Sequence, residues 1–189
     1  MAIKPLFISA ATIKKYGIIE NNVDDKLIAQ TIMFVQDIQL QQVIGSDLYN
    51  EICDQINDSN LTALNTTLLN DYIADYLINA VAAEGAVTFN YRIANKGIVT
   101  QSSETQQPVS QREVELLQKT YQRRADFYSK RLFGYLQENN TDYPLWLNGN
   151  NEAQDLEARK PTYGTGFYLG TDRRKNNDYK KGWPYCLDC

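Results

Sequence analysis

The sequence predicts a mainly α-helical protein: a helical bundle with two long helices, a short β-prone arm between them and an extended irregular C-terminal tail. Apolar side chains recur every three or four positions through most of the chain before residue 140, which is the spacing of amphipathic helices. A polar, strand-prone stretch interrupts this pattern at residues 95–109, and the pattern ends at residue 143. We therefore expect a helical body at residues 1–142 and a tail at residues 143–189.

Three shorter helices are predicted in the first part of the body, each with recognisable end signals. Ser9 can cap a short helix that ends at Gly17. A longer helix is expected at residues 24–44, with Gly45 as its stop. Its apolar stripe consists of Ile28, Ile32, Val35, Ile38 and Val43. Ser46 is then expected to cap a third helix.

Two long helices are predicted from longer apolar stripes, and the three shorter helices should pack against them. The first is expected at residues 67–93, with the stripe Leu69, Ile73, Leu77, Ala80, Val81, Glu84, Val87 and Tyr91. The second is expected at residues 110–138, with the stripe Val114, Leu117, Tyr121, Ala125, Tyr128, Leu132 and Leu136. Ser110 and Glu113 have capping-box spacing, so the second helix should begin there.

Residues 95–109 are predicted to form an exposed arm. Lys96 and Gly97 form a turn signal, and the next three residues have strand propensity. The rest of the segment is polar up to Pro108. Because a strand-prone segment between two rigid helices can pair with another chain, we expect the arm to contact a neighbouring protein.

The tail is rich in proline, glycine and large aromatic residues but has no periodic apolar face. Fixing the backbone of the 31 residues from Arg159 costs about 30–60 kcal/mol in conformational entropy. Full burial of the aromatic side chains in that stretch would contribute about 20–40 kcal/mol. We therefore expect the tail to dock in extended form on another protein. The expected anchors are Tyr163, Phe167, Tyr168, Trp183 and Tyr185.

Charge also divides the chain into an acidic and a basic part. Residues 1–158 contain 12 Lys/Arg and 20 Asp/Glu, whereas residues 159–189 contain 7 and 3. Basic and aromatic residues interleave in the tail, so the tail could bind nucleic acid through phosphate contacts and stacking. It could equally complement an acidic protein surface, and the acidic balance of residues 1–158 favours a protein partner.

The residue inventory excludes several kinds of catalytic site. Histidine is absent, so histidine-dependent nucleophiles and most catalytic zinc sites cannot be assembled within the chain. Cys186 and Cys189 have C-x-x-C spacing but no second pair of ligands, which favours two simple thiols. Asp71 and Asp75 share a helix face, and their apolar neighbours favour a solvated face over an acid–base or Mg²⁺ site. We expect no catalytic residue, no metal site and no cofactor.

Membrane insertion is not expected either. Apolar runs such as residues 32–35 and 80–83 fall far short of the roughly 20 residues that a spanning helix needs. The first residues lack the apolar segment of a secretory signal. Three cysteines are an odd number, which favours reduced thiols over a disulfide framework. These features together predict a cytoplasmic location.

Several stretches of the body form a recognisable pattern. They are residues 6–9 (LFIS), 35–39 (VQDIQ), 44–49 (IGSDLY) and 90–99 (NYRIANKGIV), followed by the polar residues 101–108. In this order they resemble the small connector, or adaptor, proteins that form a ring beneath the portal in tailed bacteriophages, particularly crAss-like and other Bacteroidetes phages. The resemblance covers roughly residues 6–138 and includes no catalytic residue.

This resemblance implies a structural virion protein of the phage neck. Its long helices would lie side by side in a homo-oligomeric ring, expected as a dodecamer, that surrounds the DNA channel. The ring would join the portal to further neck and tail proteins, and its subunits would be found in the host cytoplasm during assembly. DNA would pass through the channel without specific binding, because an acidic body repels phosphate.

Two other classes of function remain open from the residues alone. A DNA-packaging accessory or nucleic-acid-binding module would need a basic face on the folded body, against the net charge of −8 carried by residues 1–158. An enzyme that uses carboxylates and a metal would need a convergent acidic pocket. The expectation is a protein that is not an enzyme.

Overall fold

The structure, a computed structural model, describes residues 4–89, 91–94, 97–100, 110–147 and 156–158. The chain divides into two units, residues 1–159 and residues 160–189. All described residues belong to the first unit, which is called the body below. The expected extended tail beyond residue 159 lies outside the described residues.

The described part of the body is mainly α-helical, which confirms the predicted helical bundle with long helices. Its helices are α1 (Ala10–Tyr16), α2 (Asp25–Val35), α3 (Gln41–Ile44), α4 (Ser46–Asn57), α5 (Ala63–Leu68), α6 (Ala74–Thr88), α7 (Gln111–Glu138) and α8 (Pro144–Leu147). Two strands, β1 (Tyr91–Ala94) and β2 (Gly97–Thr100), lie between α6 and α7. Two π-helical turns, Gln36–Leu40 and Leu69–Ile73, join α2 to α3 and α5 to α6.

Several helix starts follow the predicted capping chemistry. The Ser9 hydroxyl accepts a hydrogen bond from the Thr12 N–H at 3.1 Å, and α1 begins at the next residue. At the start of α7 the Ser110 N–H donates to the Glu113 carboxylate at 3.0 Å, completing the capping box. Hydrogen bonds from Ser110 hold the pKa of Glu113 below its usual range. These contacts satisfy N–H groups that a helix leaves without internal partners.

The turn between α3 and α4 differs from the prediction in one respect. Gly45 ends α3 as expected, with a backbone φ of 79°, which residues other than glycine rarely adopt. Ser46 is the first residue of α4 and not its cap. Its hydroxyl oxygen accepts hydrogen bonds from the side-chain amide of Gln41 and from the main-chain N–H of Leu156, both at 2.9 Å. Ser46 therefore binds the distant Leu156 and does not cap α4, although its local spacing had predicted that it would.

The helix predicted at residues 24–44 contains an irregularity that its apolar stripe did not indicate. The Gln41 N–H bonds the carbonyl of Gln36, five residues back, so this turn is wider than an α-helical turn. The extra residue rotates the helix, which leaves Ile38 46% exposed and buries Leu40 instead. The predicted place of Ile38 in the buried stripe was therefore wrong.

The first long helix also has different ends. It begins earlier, at α5, where the Thr62 hydroxyl accepts the Asn65 N–H at 3.2 Å. It continues through the second π-helical turn into α6 and ends at Thr88, so Tyr91 belongs to β1 and not to the helix. Small residues in its middle are buried, namely Ala80, Ala82, Ala83 and Gly85.

The helix α6 is the centre of the body. It forms the most extensive helix pair of the body with α7, and α2 also packs against it. Tyr72, just before α6, stacks on Tyr135 of α7 with ring centroids 4.0 Å apart. The Phe89 ring covers Gly85 so closely that an added Cβ would lie 2.6 Å from it. A larger residue at position 85 would therefore require the Phe89 ring to move.

The predicted arm is in part a β-hairpin. Strands β1 and β2 are antiparallel, with Tyr91 opposite Thr100 and Ala94 opposite Gly97. The strand expected at residues 98–100 is therefore confirmed, although the hairpin begins before residue 95. Residues 101–109 lie outside the described residues.

The body continues beyond the expected boundary between residues 142 and 143. Tyr143, Trp146 and Ala158 are buried, with exposed fractions of 5% or less. The Tyr143 hydroxyl donates to the carbonyl of Leu64 at 2.9 Å. The first part of the expected tail thus packs on the body through single aromatic anchors, which have no helical period to reveal them.

None of the helices among the described residues is both long enough and apolar enough to cross a membrane.

Candidate interaction surfaces

The tail residues expected to bind a partner lie outside the described part of the chain. This applies to the five tail anchors, Tyr163, Phe167, Tyr168, Trp183 and Tyr185, and to the thiols of Cys186 and Cys189. The surfaces described below therefore all belong to the body.

Three carboxylates hold structure together: Asp24, Asp25 and, from the pair considered in the sequence, Asp75. Asp24 caps α2 by accepting the Lys26 N–H at 2.9 Å, and Asp25 forms an ion pair with Lys14. Asp75 pairs with Arg131 of α7 at 3.3 Å, and so links α6 to α7. Among the described residues no group of three or more acidic or cysteine side chains is placed to hold a metal ion.

Cys53 is the cysteine that the structure describes, and it is buried in α4. Burial raises the pKa of its thiol to about 11. Since the thiolate is the reactive form, the thiol is held in its unreactive form at neutral pH. This arrangement suits a packing role.

A groove of about 800 Å³ lies between the end of α1 and the pair α6 and α7. Tyr16, Tyr121 and Tyr128 give it an aromatic wall. Arg124 lies over the Tyr121 ring, 4.8 Å from its centroid. The carboxylate of the groove is Asp75, which Arg131 already pairs. The groove thus presents aromatic and amide surface, with its acid engaged in a structural contact.

The outer face of α7 carries a row of cations. Arg112, Lys119, Arg123 and Lys130 are separated by seven, four and seven residues and are all exposed. At 3.6 residues per turn these positions lie within about 40° of one another, along about 27 Å of helix. None of the four forms an ion pair within the described residues.

Two large apolar side chains lie among these cations. Leu116 is 67% exposed and Phe127 is 64% exposed, although both belong to a well-formed helix. Their positions fall within about 60° of the cationic row, as do those of the exposed acids Glu115 and Asp126, which accept hydrogen bonds from Gln111 and Gln122. We call the four cations, together with Leu116 and Phe127, the α7 cationic face. A face that mixes cations with large exposed apolar groups is typical of a binding surface, whereas single exposed apolar residues are common anywhere.

The opposite charge gathers on α4. Asp47 and Asp54 of α4 and its C-cap residue Asp58 are separated by seven and four residues, so they too share one side of a helix. Asp47 is partly buried, and its Oδ2 is enclosed without a hydrogen-bond partner among the described residues. Asp54 and Asp58 are exposed, and no ion pair holds them within the described residues. We call these three residues the α4 acidic face. Leu61 and Leu64, 37% and 46% exposed, follow directly after it.

A third surface lies where α2 meets the first π-helical turn. Met33, Phe34 and Ile38 are 37%, 48% and 46% exposed and lie close together in sequence on one helical segment. We call them the α2 apolar face. It exists because the π-helical turn moves Ile38 out of the core.

The net charge of −8 over residues 1–158 gave no indication of a cationic face on α7. The signal that was missed is regional: residues 20–84 contain 11 acidic residues and one lysine, whereas α7 contains six basic and four acidic residues. The body therefore has two regions of opposite charge.

The comparisons with known proteins agree with a body that runs past residue 142. A model described as a family of unknown function (DUF6712) matches residues 40–155, which include α3 to α8. No curated protein and no solved structure matches the chain. Because the match covers more than half of the sequence, this chain belongs to the DUF6712 family.

Proposed function

We propose that this chain is a structural virion protein, one subunit of a neck ring that joins the portal to the tail of a tailed bacteriophage and surrounds its DNA channel. The observation that carries the proposal is the exposure of large apolar side chains on ordered helices, above all Leu116 and Phe127 of α7. Burial of such a side chain stabilises an assembly by about 1.5–3 kcal/mol. In an assembly these side chains can be buried between subunits, whereas in an isolated monomer they stay exposed to water.

The arrangement of the body supports an assembly role over a catalytic one. Asp24 caps α2, Asp75 ties α6 to α7, and the described thiol is buried with a raised pKa. Three separate faces, on α2, α4 and α7, instead present exposed apolar groups or unpaired charge. The resemblance of residues 6–138 to phage connector proteins points in the same direction.

The long helix pair and the hairpin give the proposal its geometry. In a ring, α6 and α7 would lie side by side with those of the next subunits, and the arm at residues 95–109 would reach a neighbouring subunit or ring. The tail would attach the ring to the portal or to an adjacent neck protein. The subunits would assemble in the host cytoplasm and end in the virion neck.

Electron microscopy of the full chain, alone and mixed with the portal protein of the same phage, tests the proposal. We expect closed rings, and mass photometry should show one dominant oligomer. A protein that stays monomeric at every concentration, alone and with portal, would contradict the assembly role. Catalytic turnover by a compact monomer would indicate that the protein is an enzyme and not an assembly subunit.

A second candidate function is a nucleic-acid-binding module, such as a DNA-packaging accessory. The α7 cationic face favours it, because four cations that form no ion pair with the described residues could neutralise phosphates along one helix. Fluorescence anisotropy with duplex DNA separates the candidates. A binding module should bind at low salt, with an affinity that falls steeply as salt rises. A ring subunit should show no such binding in its unassembled form.

A further inference from the structure

We propose that the α7 cationic face of one copy docks on the α4 acidic face of a second copy. This inference rests on the proposed function, since it names the contact that would join neighbouring subunits. It commits to a head-to-tail interface between two different faces, the kind of contact that closes into a ring or continues as a filament.

Charge spacing is the first argument. The acids of α4 are separated by seven and four residues, and Arg112, Lys119 and Arg123 have the same two intervals. In the reverse direction Lys130, Arg123 and Lys119 have these intervals as well. With a rise of 1.5 Å per residue, both faces space their charges about 10.5 and 6 Å apart. The exposed acids Asp54 and Asp58 can therefore face Lys119 and Arg123 in either orientation, whereas Asp47, whose Oδ2 is buried, is less accessible.

Apolar contact is the second argument. Leu116 and Phe127 lie among the cations, and Leu61 and Leu64 follow the acids. Ion pairs at a surface contribute little affinity by themselves but fix register and suppress wrong pairings. Exposed apolar groups beside them supply the attraction that the charges orient. Exposed apolar groups thus lie within the α7 cationic face and in the segment that follows the α4 acidic face.

The size of the contact sets a further expectation. A helix face about 27 Å long and 10–12 Å wide covers only about 300 Å², well below the roughly 800 Å² per partner of a stable interface. Each pairwise contact should therefore be weak alone and be reinforced by ring closure and by the arm. We expect assembly to depend on concentration and to weaken as salt rises, because salt screens exposed charges.

Charge reversal on the full chain tests the pairing. The α7 variant Lys119→Glu/Arg123→Glu should raise the concentration needed for half-assembly at least tenfold. The control Lys15→Glu/Lys26→Glu has the same change in net charge on exposed positions outside the face, and should assemble like the unaltered protein. Circular dichroism should show unchanged helicity in both variants.

The α4 face is reversed in the same way. Asp54→Lys/Asp58→Lys should also impair assembly, with Glu20→Lys/Asp71→Lys as its control. The decisive step is to mix the two impaired proteins. Each then carries the face that the other needs, so the mixture should recover assembly with alternating subunits. Misfolding of either variant could not produce that recovery.

Each outcome has a distinct meaning. Normal assembly of both reversed variants would overturn the inference and leave the ring function intact. Impaired variants that fail to recover on mixing would also overturn it. If the unaltered protein does not assemble, the proposed function fails with the inference. If it binds duplex DNA and Lys119→Glu/Arg123→Glu abolishes that binding, the α7 face is a nucleic-acid surface and the inference is wrong.

Discussion

Trp146 donates its indole N–H to the main-chain carbonyl of Val43, 103 residues earlier, with 3.2 Å between nitrogen and oxygen. The indole is 2% exposed and meets the Phe133 ring edge to face, with centroids 5.3 Å apart. This one side chain therefore joins α8 to α3 and to α7. The hydrogen bonds between Ser46 and Leu156 add a second tie from the same part of the chain.

Because of these contacts, removal of the Trp146 side chain should strongly reduce the stability of the body. Trp146→Ala should lower the free energy of unfolding by about 3–5 kcal/mol, since it leaves a cavity among α3, α7 and α8. Trp146→Phe keeps an aromatic ring but loses the hydrogen bond to Val43, and should cost less. Urea denaturation followed by circular dichroism measures both. Equal stability of the alanine variant and the unaltered protein would contradict this view of α8.

Two truncations separate the body from the tail. A chain that ends at Asn140 loses Tyr143 and Trp146 from the core, so it should be markedly less stable or fail to fold. A chain that ends at Arg159 keeps these contacts and should unfold with the same midpoint as the full chain. Differential scanning calorimetry of the three proteins checks this order.

The same chain ending at Arg159 tests the proposed tail anchors. It should remain helical but no longer bind the portal or an adjacent neck protein, because it lacks the aromatic anchors from Tyr163 to Tyr185. The full-length double variant Trp183→Ala/Tyr185→Ala should show part of that loss. Unchanged pull-down of the partner by the shortened chain would show that the tail is not the attachment device.

Gln36 is a buried amide that holds the N-terminal segment. Its Oε1 accepts the Phe7 N–H at 2.8 Å, and its Nε2 donates to the Pro5 carbonyl at 3.1 Å. Gln36→Ala would leave a buried N–H without a partner, which costs about 1–3 kcal/mol. The control Gln30→Ala, on an exposed position of α2, should change stability little. Hydrogen exchange at the Phe7 amide should accelerate in the first variant alone.

Cys53 predicts a stability loss at high pH. Its folded-state pKa of about 11 lies above the ordinary value of 9.0, so the unfolded chain releases the thiol proton first. Unfolding is therefore favoured increasingly from about pH 9, and the effect levels off near pH 11. Below pH 9 the thiol is neutral in both states and contributes no pH dependence. Cys53→Ala should lose stability more gently over this range than the unaltered protein.

The arm predicts an effect on assembly without an effect on folding. Replacing residues 91–109 with a glycine-serine linker of equal length should leave the α6 and α7 pair intact, since buried residues of the two helices themselves form core contacts. Ring formation should be impaired, because the linker cannot pair with a neighbouring chain. Normal rings from the linker variant would remove the arm from the proposed interface.

Much of the fold could be predicted because its signals are local. Ser9, Gly45 and the Ser110–Glu113 pair act within a few residues, and each appears in the structure at a helix end. The apolar stripe of α7 likewise marks its core contacts at Val114, Ala125, Leu132 and Leu136.

The misses come from contacts between distant residues. Trp146 packs through a single side chain with no periodic neighbours, and Ser46 bonds a residue more than a hundred positions away. A π-helical turn adds one residue without changing composition, so Ile38 fits the stripe in the sequence but not on the helix. The charged faces were missed because the net charge of residues 1–158 sums the acids of α4 with the cations of α7. Only the fold shows that these charges lie on separate helix faces.

The chain contains two tryptophans, Trp146 in the core of the body and Trp183 among the proposed tail anchors. Each part of the chain therefore carries its own fluorophore. With Trp183→Phe, the remaining emission should be blue-shifted by the buried site and should shift red only when the body unfolds. With Trp146→Phe, the remaining signal reports the surroundings of the tail, and addition of the tail's partner should change it at concentrations that leave the body's signal constant. One spectrometer can thus follow folding and attachment as separate events in the same molecule.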